Sequence, residues 1–114
     1  GLGPEDMDVA EVHDCFSIAE LMAYENLGFC KPGEGGKLIE DKETYIGGKI
    51  PVNTDGGLLC KGHPIGATGG SQIRTIVKQI RGEAGEVQVE GAKVGLIHNV
   101  GGVGTYANVT ILGR

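Results

Sequence analysis

Glycine is the residue that most constrains what this chain can fold into. It occupies 22 of the 114 positions, against roughly 7% in average usage. The glycines follow no three-residue repeat, which excludes a collagen triple helix. They cluster instead at 33–36, 47–48, 56–57, 62–70 and 101–104. This distribution indicates several loops with unusual backbone geometry, or loops that another group approaches closely.

The first quarter of the chain predicts one strand and one helix. Residues 8–12 alternate weakly between polar and apolar side chains, which favours a short strand. Asp14 is expected to cap a helix that runs from about Cys15 to Leu27, with Gly28 as its stop. Apolar residues lie on most sides of this helix, so we expect more than one neighbouring element to bury it.

The middle of the chain predicts a long connection followed by a second helix. Residues 29–57 carry turn signals rather than periodicity, and only a short strand near Ile50–Asn53 is predicted among them. Thr68 is then expected to cap a helix that ends at Gly82. Its apolar residues recur at helical spacing, which predicts a core-facing stripe formed by Ile73, Ile76, Val77 and Ile80.

Two strands are predicted at the end of the chain. Lys93–His98 is an apolar run, and Thr105–Leu112 is rich in β-branched residues with Ala107, Val109 and Ile111 on one face. The glycine-rich residues 99–104 between them are expected to form a hairpin loop. The order β-α-α-β-β over residues 1–114 predicts one α/β domain with helices packed on a sheet.

Composition excludes several classes of function. The net charge of −5 and the pI near 5.1 give no electrostatic footprint for nucleic acid. No apolar run approaches about 18 residues, so no membrane span is expected. The three cysteines are an odd number without a secretory signal, which favours reduced thiols and predicts a cytoplasmic protein.

The first segment that could carry chemistry is His13-Asp14-Cys15-Phe16. If Cys15 lies at a helix N-terminus, the partial positive charge there stabilises a thiolate. A cysteine needs that stabilisation to act as a base or nucleophile near neutral pH. The alternative for a lone cysteine is a buried side chain packed as a small hydrophobe.

The second segment runs from Cys60 to Gly70 and contains His63 just before a proline and a predicted helix. Its glycines would let a ligand approach the start of that helix. A histidine there could donate a hydrogen bond to a developing oxyanion or activate a thiol. The alternative is a loop histidine in a glycine-rich turn. The segment lacks the Gly-Lys-Ser/Thr of a phosphate-binding loop.

The third segment runs from His98 to Gly104. Consecutive glycines between strands can expose backbone N–H groups to an oxyanion, although for the segment in isolation a flexible hairpin is the better interpretation. A zinc site is a further alternative, because His13, Cys15, Cys60 and His63 supply four ligands. Their spacing is irregular for a short-loop zinc site, and no metal is expected.

The order of these motifs resembles the C-terminal domain of thiolases. The residues Gly62-His63-Pro64-Ile65-Gly66-Ala67-Thr68-Gly69 match a specific family signature, and His-Asp-Cys-Phe is similar to the sterol-carrier-protein-2 subgroup. The resemblance covers nearly the whole chain. It implies a thiolase-like half-domain fragment with a mixed sheet, the N-terminal half being absent. The start at Gly1, without Met, is compatible with processing or with an excised fragment.

The resemblance also implies a function and a set of site residues. Full-length thiolases are acyltransferases that act on coenzyme A thioesters, by thiolysis or by Claisen condensation, in lipid metabolism. Cys15 resembles the acid/base cysteine, and His13 and His63 resemble the pair that holds the thioester oxygen. Gly66, His98, Gly101 and Gly102 are the expected oxyanion and substrate-binding residues. No cofactor is implied beyond the acyl-CoA and CoA substrates.

The resemblance further predicts that the fragment alone is inactive, because the family's nucleophilic cysteine comes from the missing half. The full-length protein is expected to be a homo-oligomer. One position departs from the pattern: His98 stands where many thiolases have a catalytic Cys-x-Gly cysteine, which transfers the acid/base role to Cys15. Two alternatives stay open, a non-catalytic thiolase-like scaffold subunit and a 3-oxoacyl synthase-like condensing enzyme.

Overall fold

A three-stranded mixed sheet organises the fold. The computed structural model describes residues 1–114. The strands are β1 (Val9–Glu11), β2 (Val94–Gly101) and β3 (Tyr106–Gly113), in the spatial order β1-β2-β3. β1 pairs with β2 in parallel, with Ala10 opposite Leu96, and β2 pairs with β3 antiparallel. The predicted α/β class with a mixed sheet is confirmed.

Four α-helices accompany the sheet, two more than the sequence predicts. They are α1 (Ser17–Asn26), α2 (Gly35–Glu40), α3 (Gly57–Lys61) and α4 (Thr68–Arg81). Three short 3-10 turns occur at Pro4–Asp6, Gly85–Val87 and Gly102–Gly104. The observed order is therefore β-α-α-α-α-β-β.

The connection over residues 29–57 contains more structure than predicted. It includes α2 and leads directly into α3, and both helices are too short to produce a periodic sequence pattern. The strand predicted near Ile50–Asn53 is reduced to one isolated parallel bridge between Val52 and Ala10. Ile50 and Val52 are nevertheless buried, so this segment still contributes to the core.

The core lies on both faces of the sheet, as strand alternation requires. Ala10, Val12 and Leu96 belong to a cluster that includes Tyr24 of α1. Val9 and Ile97 face the opposite way and join Ile76 of α4 in a second cluster. α4 packs so closely on β2 that a Cβ added to Gly95 would lie 2.5 Å from Cγ2 of Ile76.

α1 is less buried than predicted. Only Ala23 and Tyr24 are buried in it, while Ile18 and Met22 remain more than half exposed. The expectation that several elements cover this helix is therefore wrong for this chain. Its predicted stop is correct, since Gly28 adopts φ +78° just after the helix.

α4 has the predicted extent but presents a different face to the core. Of its predicted apolar stripe, only Ile76 is buried, and Ile73 is 45% exposed. The buried side consists mainly of polar residues, namely Thr68, Gln72, Thr75 and Gln79. The predicted stop at Gly82 is correct, with φ +73° at the C-cap. Ala67 rather than Thr68 is the N-cap, and Thr68 is the first helical residue.

The hairpin between the last two strands is tighter than predicted. Residues 99–101 belong to β2, where Gly101 pairs with Tyr106, and only 102–105 form the turn. The predicted apolar face of β3 is not buried, since Ala107, Val109 and Ile111 are all exposed. No element of this chain covers that face of β3, which also forms one edge of the sheet.

Candidate active site

The two histidines predicted to act together are in contact. The ring centroids of His13 and His63 lie 4.8 Å apart, with the rings nearly perpendicular at 86°. His13 follows β1 by two residues and is only 5% exposed. His63 follows α3 by two residues and is exposed. Fifty residues of chain separate the two positions, so the fold rather than local structure brings the imidazoles together.

Hydrogen bonds fix the orientation of the His63 ring. Its Nδ1 lies 2.7 Å from Oγ1 of Thr68, and that hydroxyl lies 3.1 Å from the carbonyl oxygen of Pro64. A carbonyl only accepts, and the hydroxyl has a single proton, so Thr68 donates to Pro64 and accepts from Nδ1–H of His63. In the neutral ring this pattern leaves the lone pair on Nε2, free to take a proton.

The surroundings of His13 favour its neutral form. Burial lowers the pKa of His13, the neighbouring His63 lowers it further, and Asp14 only partly offsets these two effects. Its Nδ1 is buried without a hydrogen-bond partner in the chain. A buried ring nitrogen without a partner is uncommon, and such groups concentrate at functional sites.

His98, the third histidine of the chain, lies in β2 opposite Val109. Burial lowers its pKa, and His13 lowers it further. Nδ1 of His98 is also buried without a partner. The rings of His13 and His63 are in contact, and His98 comes from β2, the strand that pairs with β1.

Cys15 follows His13 by two residues, but it does not begin the helix as predicted. It is half-buried at a bend, two residues before the first residue of α1. Phe16 is the N-cap of that helix and makes no side-chain capping bond. The prediction that Asp14 caps the helix is therefore wrong, and Cys15 is not its first residue.

The Asp14 carboxylate caps a different helix. Its Oδ1 accepts a hydrogen bond of 2.7 Å from the backbone N–H of Leu58, and its Oδ2 accepts one of 3.3 Å from Leu59. These are the first-turn N–H groups of α3, which have no partner within the helix. Asp14 thus ties the connection after β1 to the helix that leads to His63.

The predicted glycine positions lie at two loops. Gly66 is exposed in the turn between His63 and α4. Gly101 ends β2, and Gly102 opens the following turn with φ +58°. A Cβ on Gly69 would lie 3.5 Å from the side-chain nitrogen of Asn99, so the start of α4 approaches β2 closely just after His98.

Comparison with known proteins decides the family. The model of the family described as thiolase C-terminal domain-like matches residues 1–114. The chain belongs to the thiolase C-terminal domain-like family. The acetyl-CoA acetyltransferase of Methanothermobacter thermautotrophicus is 56% identical over 99% of this chain. Sterol carrier protein 2 of Rattus norvegicus is 54% identical over 97% of it.

A solved structure agrees with this assignment. The Ltp2-ChsH2(DUF35) aldolase matches 99% of the chain with a TM-score of 0.82 and 32% identity. The chain spans 30% of the archaeal acetyltransferase, 20% of the rat protein and 28% of the aldolase chain. These relatives are therefore much longer than the thiolase domain described here.

The structure adds residues that the sequence reasoning missed in this thiolase domain. Gln72 is fully buried, and its Nε2 donates to the carbonyl oxygen of His98 at 3.1 Å. Its Oε1 accepts from Asn99 at 2.7 Å. The sequence does contain a pattern that indicates Gln72. The polar residues at 68, 72, 75 and 79 recur with helical period, as the apolar stripe does.

Glu11 is a second residue that the sequence analysis did not single out, and it precedes His13 by two positions. Glu11, at the end of β1, is fully buried. Burial together with nearby Asp55 raises its pKa to about 8, although Lys61 acts in the opposite direction.

No group of three or more His, Cys, Asp or Glu side chains is arranged to hold a metal ion. None of the helices combines the length and apolar character that crossing a bilayer demands.

Proposed function

We propose that this chain is the C-terminal part of a coenzyme-A-dependent acyltransferase, an acetyl-CoA acetyltransferase or 3-oxoacyl-CoA thiolase of lipid metabolism. The observation that carries the proposal is the contact between His13 and His63 within a chain that matches the thiolase family throughout. The proposed reaction is thiolytic cleavage of a 3-oxoacyl-CoA, or its reverse, the Claisen condensation of acetyl-CoA.

The orientation of His63 suits the first step of such a reaction. In our proposal the nucleophilic cysteine comes from the part of the protein that precedes this chain. The free lone pair on Nε2 takes the proton of that thiol. The resulting Nε2–H then donates to the thioester oxygen as it gains negative charge. One imidazole thus serves as base first and as oxyanion donor afterwards.

His13 and Cys15 complete the proposed set. His13, whose pKa is lowered by burial, shares the oxygen with His63. Cys15 exchanges the proton on the α-carbon of the acetyl thioester. We propose that Gly66, His98, Gly101 and Gly102 line the substrate's path and supply further N–H groups. On this proposal the isolated chain cannot form the acyl-enzyme, and the full-length protein binds CoA thioesters as a homo-oligomer.

The experiment compares two cysteine variants of the full-length protein that carries this chain. Cys15→Ala should slow exchange of the α-hydrogens of acetyl-CoA with deuterated water by about 100-fold or more, which is typical of losing a general base. Cys30→Ala is the matched control, since Cys30 is also half-buried and packs against the core. Equal exchange rates in the wild type and Cys15→Ala would remove Cys15 from the mechanism.

The same preparation separates catalysis from a scaffold role. If the residues that precede this chain contain no cysteine that acetyl-CoA can acylate, the acyltransferase proposal fails and a non-catalytic subunit is indicated. Mass spectrometry of the protein after incubation with acetyl-CoA reads this directly. A covalent acetyl group on a cysteine outside residues 1–114 supports the proposal.

A second candidate is carbon–carbon cleavage without an acyl-enzyme, because an aldolase matches the fold with a TM-score of 0.82. Stabilising an enolate oxygen with His13 and His63 would serve both reactions. Free CoA distinguishes them, since it is consumed in thiolysis and plays no part in aldol cleavage. Cleavage that proceeds at the same rate without CoA would favour this second candidate.

A further inference from the structure

A charged cluster behind the histidines joins the two segments that carry them. Nζ of Lys61 lies 3.5 Å from Oε2 of Glu11 and also contacts the carboxylate of Asp55. Asp55 in turn accepts a hydrogen bond of 2.5 Å from Thr75 of α4. Lys61 therefore connects β1, the loop before α3, and through Asp55 the middle of α4.

The cluster is partly enclosed, with Glu11 at its buried end. The Glu11 side chain is 0% exposed and that of Lys61 is 24% exposed. Oε1 of Glu11 is buried and has no hydrogen-bond partner. Removing the ammonium leaves the Asp55 carboxylate without its counter-charge and Oε2 of Glu11 without its hydrogen-bond donor, and this usually disturbs the surrounding structure.

The connection from Lys61 to His63 is short and stiff. Lys61 is the last residue of α3, and only Gly62 separates it from the histidine. Gly62 adopts φ +90°, which favours glycine, and its N–H donates to Leu58. Pro64 follows and restricts the backbone of His63. A displacement of Lys61 therefore moves His63 with it.

α3 is thus held at both ends. Asp14 accepts from its first N–H groups, and Glu11 and Asp55 hold the ammonium at its last residue. His13 lies between Glu11 and Asp14 along one segment, and His63 lies just beyond Lys61 along the other. The two attachments flank the point where the imidazoles meet.

We propose that Lys61, held between Glu11 and Asp55, is a positioning residue that fixes His63 against His13. The proposal rests on the function proposed above, because the contact it maintains is the one that carries that function. Lys61 touches neither substrate nor reacting atoms. It acts through the geometry of His63, and a misplacement of about 1 Å in such a group costs roughly 100-fold in rate.

The test uses Lys61→Met, Lys61→Arg and Lys37→Met in the full-length protein. Methionine keeps the apolar stem and removes the charge, arginine restores the charge, and exposed Lys37 of α2 provides a matched control. We expect Lys61→Met to lower kcat for thiolysis of acetoacetyl-CoA by about 10- to 100-fold. KM should stay within about threefold. Arginine should recover most of kcat, and the control should match the wild type.

A readout independent of acyl transfer is amide hydrogen exchange over residues 58–63. Lys61→Met should accelerate exchange there by about tenfold or more, and Lys37→Met should not. Unchanged exchange in Lys61→Met, or a kcat equal to that of the control, would overturn the proposal. So would a loss of kcat that arginine does not reverse. If the wild type shows no acyl transfer, the proposed function fails, and the exchange comparison alone decides whether Lys61 holds this segment.

Discussion

The carboxylate of Asp14 fills the space next to Gly57 in which a side chain would begin. A Cβ built on Gly57 would collide with Oδ2 of Asp14, and the backbone there has φ +61°. The close approach lets the carboxylate reach the N–H groups at the start of α3. Gly57 is therefore fixed by two independent requirements, a left-handed conformation and the absence of a Cβ.

Gly57→Ala should consequently destabilise the protein strongly. We expect a loss of about 2–4 kcal/mol in the free energy of unfolding, from backbone strain together with overpacking against a buried carboxylate. Urea denaturation measures it. Gly36→Ala is the control, because nothing lies within 4 Å of its added Cβ in α2, and it should stabilise by about 0.5–1 kcal/mol. Equal stabilities for the two variants would contradict the role of Asp14 as a cap.

Thr68→Val should release the His63 ring from its tautomer. Valine has nearly the same shape but cannot accept the hydrogen bond from Nδ1, so the proton is no longer held on that nitrogen. We expect kcat to fall by about tenfold, while Thr68→Ser retains the wild-type kcat. Thr110→Val, which removes a hydroxyl bonded to Asn108, should leave kcat unchanged. A wild-type kcat in Thr68→Val would show that the hydroxyl does not set the tautomer.

Glu11 should make stability depend on pH. Burial raises its pKa in the folded state to about 8, from 4.5. The folded protein therefore holds this proton where the unfolded chain releases it. The contribution of protonated Glu11 to the free energy of unfolding is fully present below pH 4.5, declines as pH rises, and is lost above pH 8.

Glu11→Gln resembles the protonated carboxyl and cannot ionise. Its free energy of unfolding should therefore exceed that of the wild type by an amount that grows between pH 5 and 9. A gain on the order of 2–5 kcal/mol is expected at the upper limit, measured by urea denaturation at several pH values. The same change at exposed Glu40 separates this effect from a general response to lost charge. A constant difference between Glu11→Gln and the wild type from pH 5 to 9 would show that Glu11 is ionised throughout.

Patterns over neighbouring residues predicted most of the fold. The periodicity at 73–80 located α4, and φ +73° at Gly82 confirms its end. The β-branched residues near the C-terminus predicted β3 correctly. The family motifs predicted that His13 and His63 meet, and their rings are in contact. These features depend on local sequence or on a resemblance that covers the whole chain.

What the sequence could not predict depends on partners that are distant along the chain. Asp14 looks like a cap for the helix that follows it, yet its partners are 44 and 45 residues away. The apolar stripe of α4 predicts the wrong buried face, because buried glutamines satisfied by hydrogen bonds outweigh its isoleucines. Hydrophobicity alone cannot distinguish a satisfied buried amide from an exposed one.

Gln72 offers the sharpest test of this last point. Its side chain is fully buried, holds the carbonyl of His98 and accepts from Asn99. Gln72→Leu would be favourable if apolar burial decided the packing of α4. Because it leaves the His98 carbonyl and the Asn99 amide without partners, we expect it to cost about 2–3 kcal/mol instead.

A double-mutant cycle with Asn99→Ala attributes that cost to the hydrogen bond. Asn99→Ala already removes the hydrogen bond between Asn99 and Gln72. The double variant should therefore be more stable than the sum of the two single losses in free energy of unfolding predicts. The difference should be about 0.5–1.5 kcal/mol in urea denaturation. Strict additivity would mean that the two side chains do not interact. In that case α4 would be held against β2, the strand that carries His98, by packing such as that of Ile76 on Gly95.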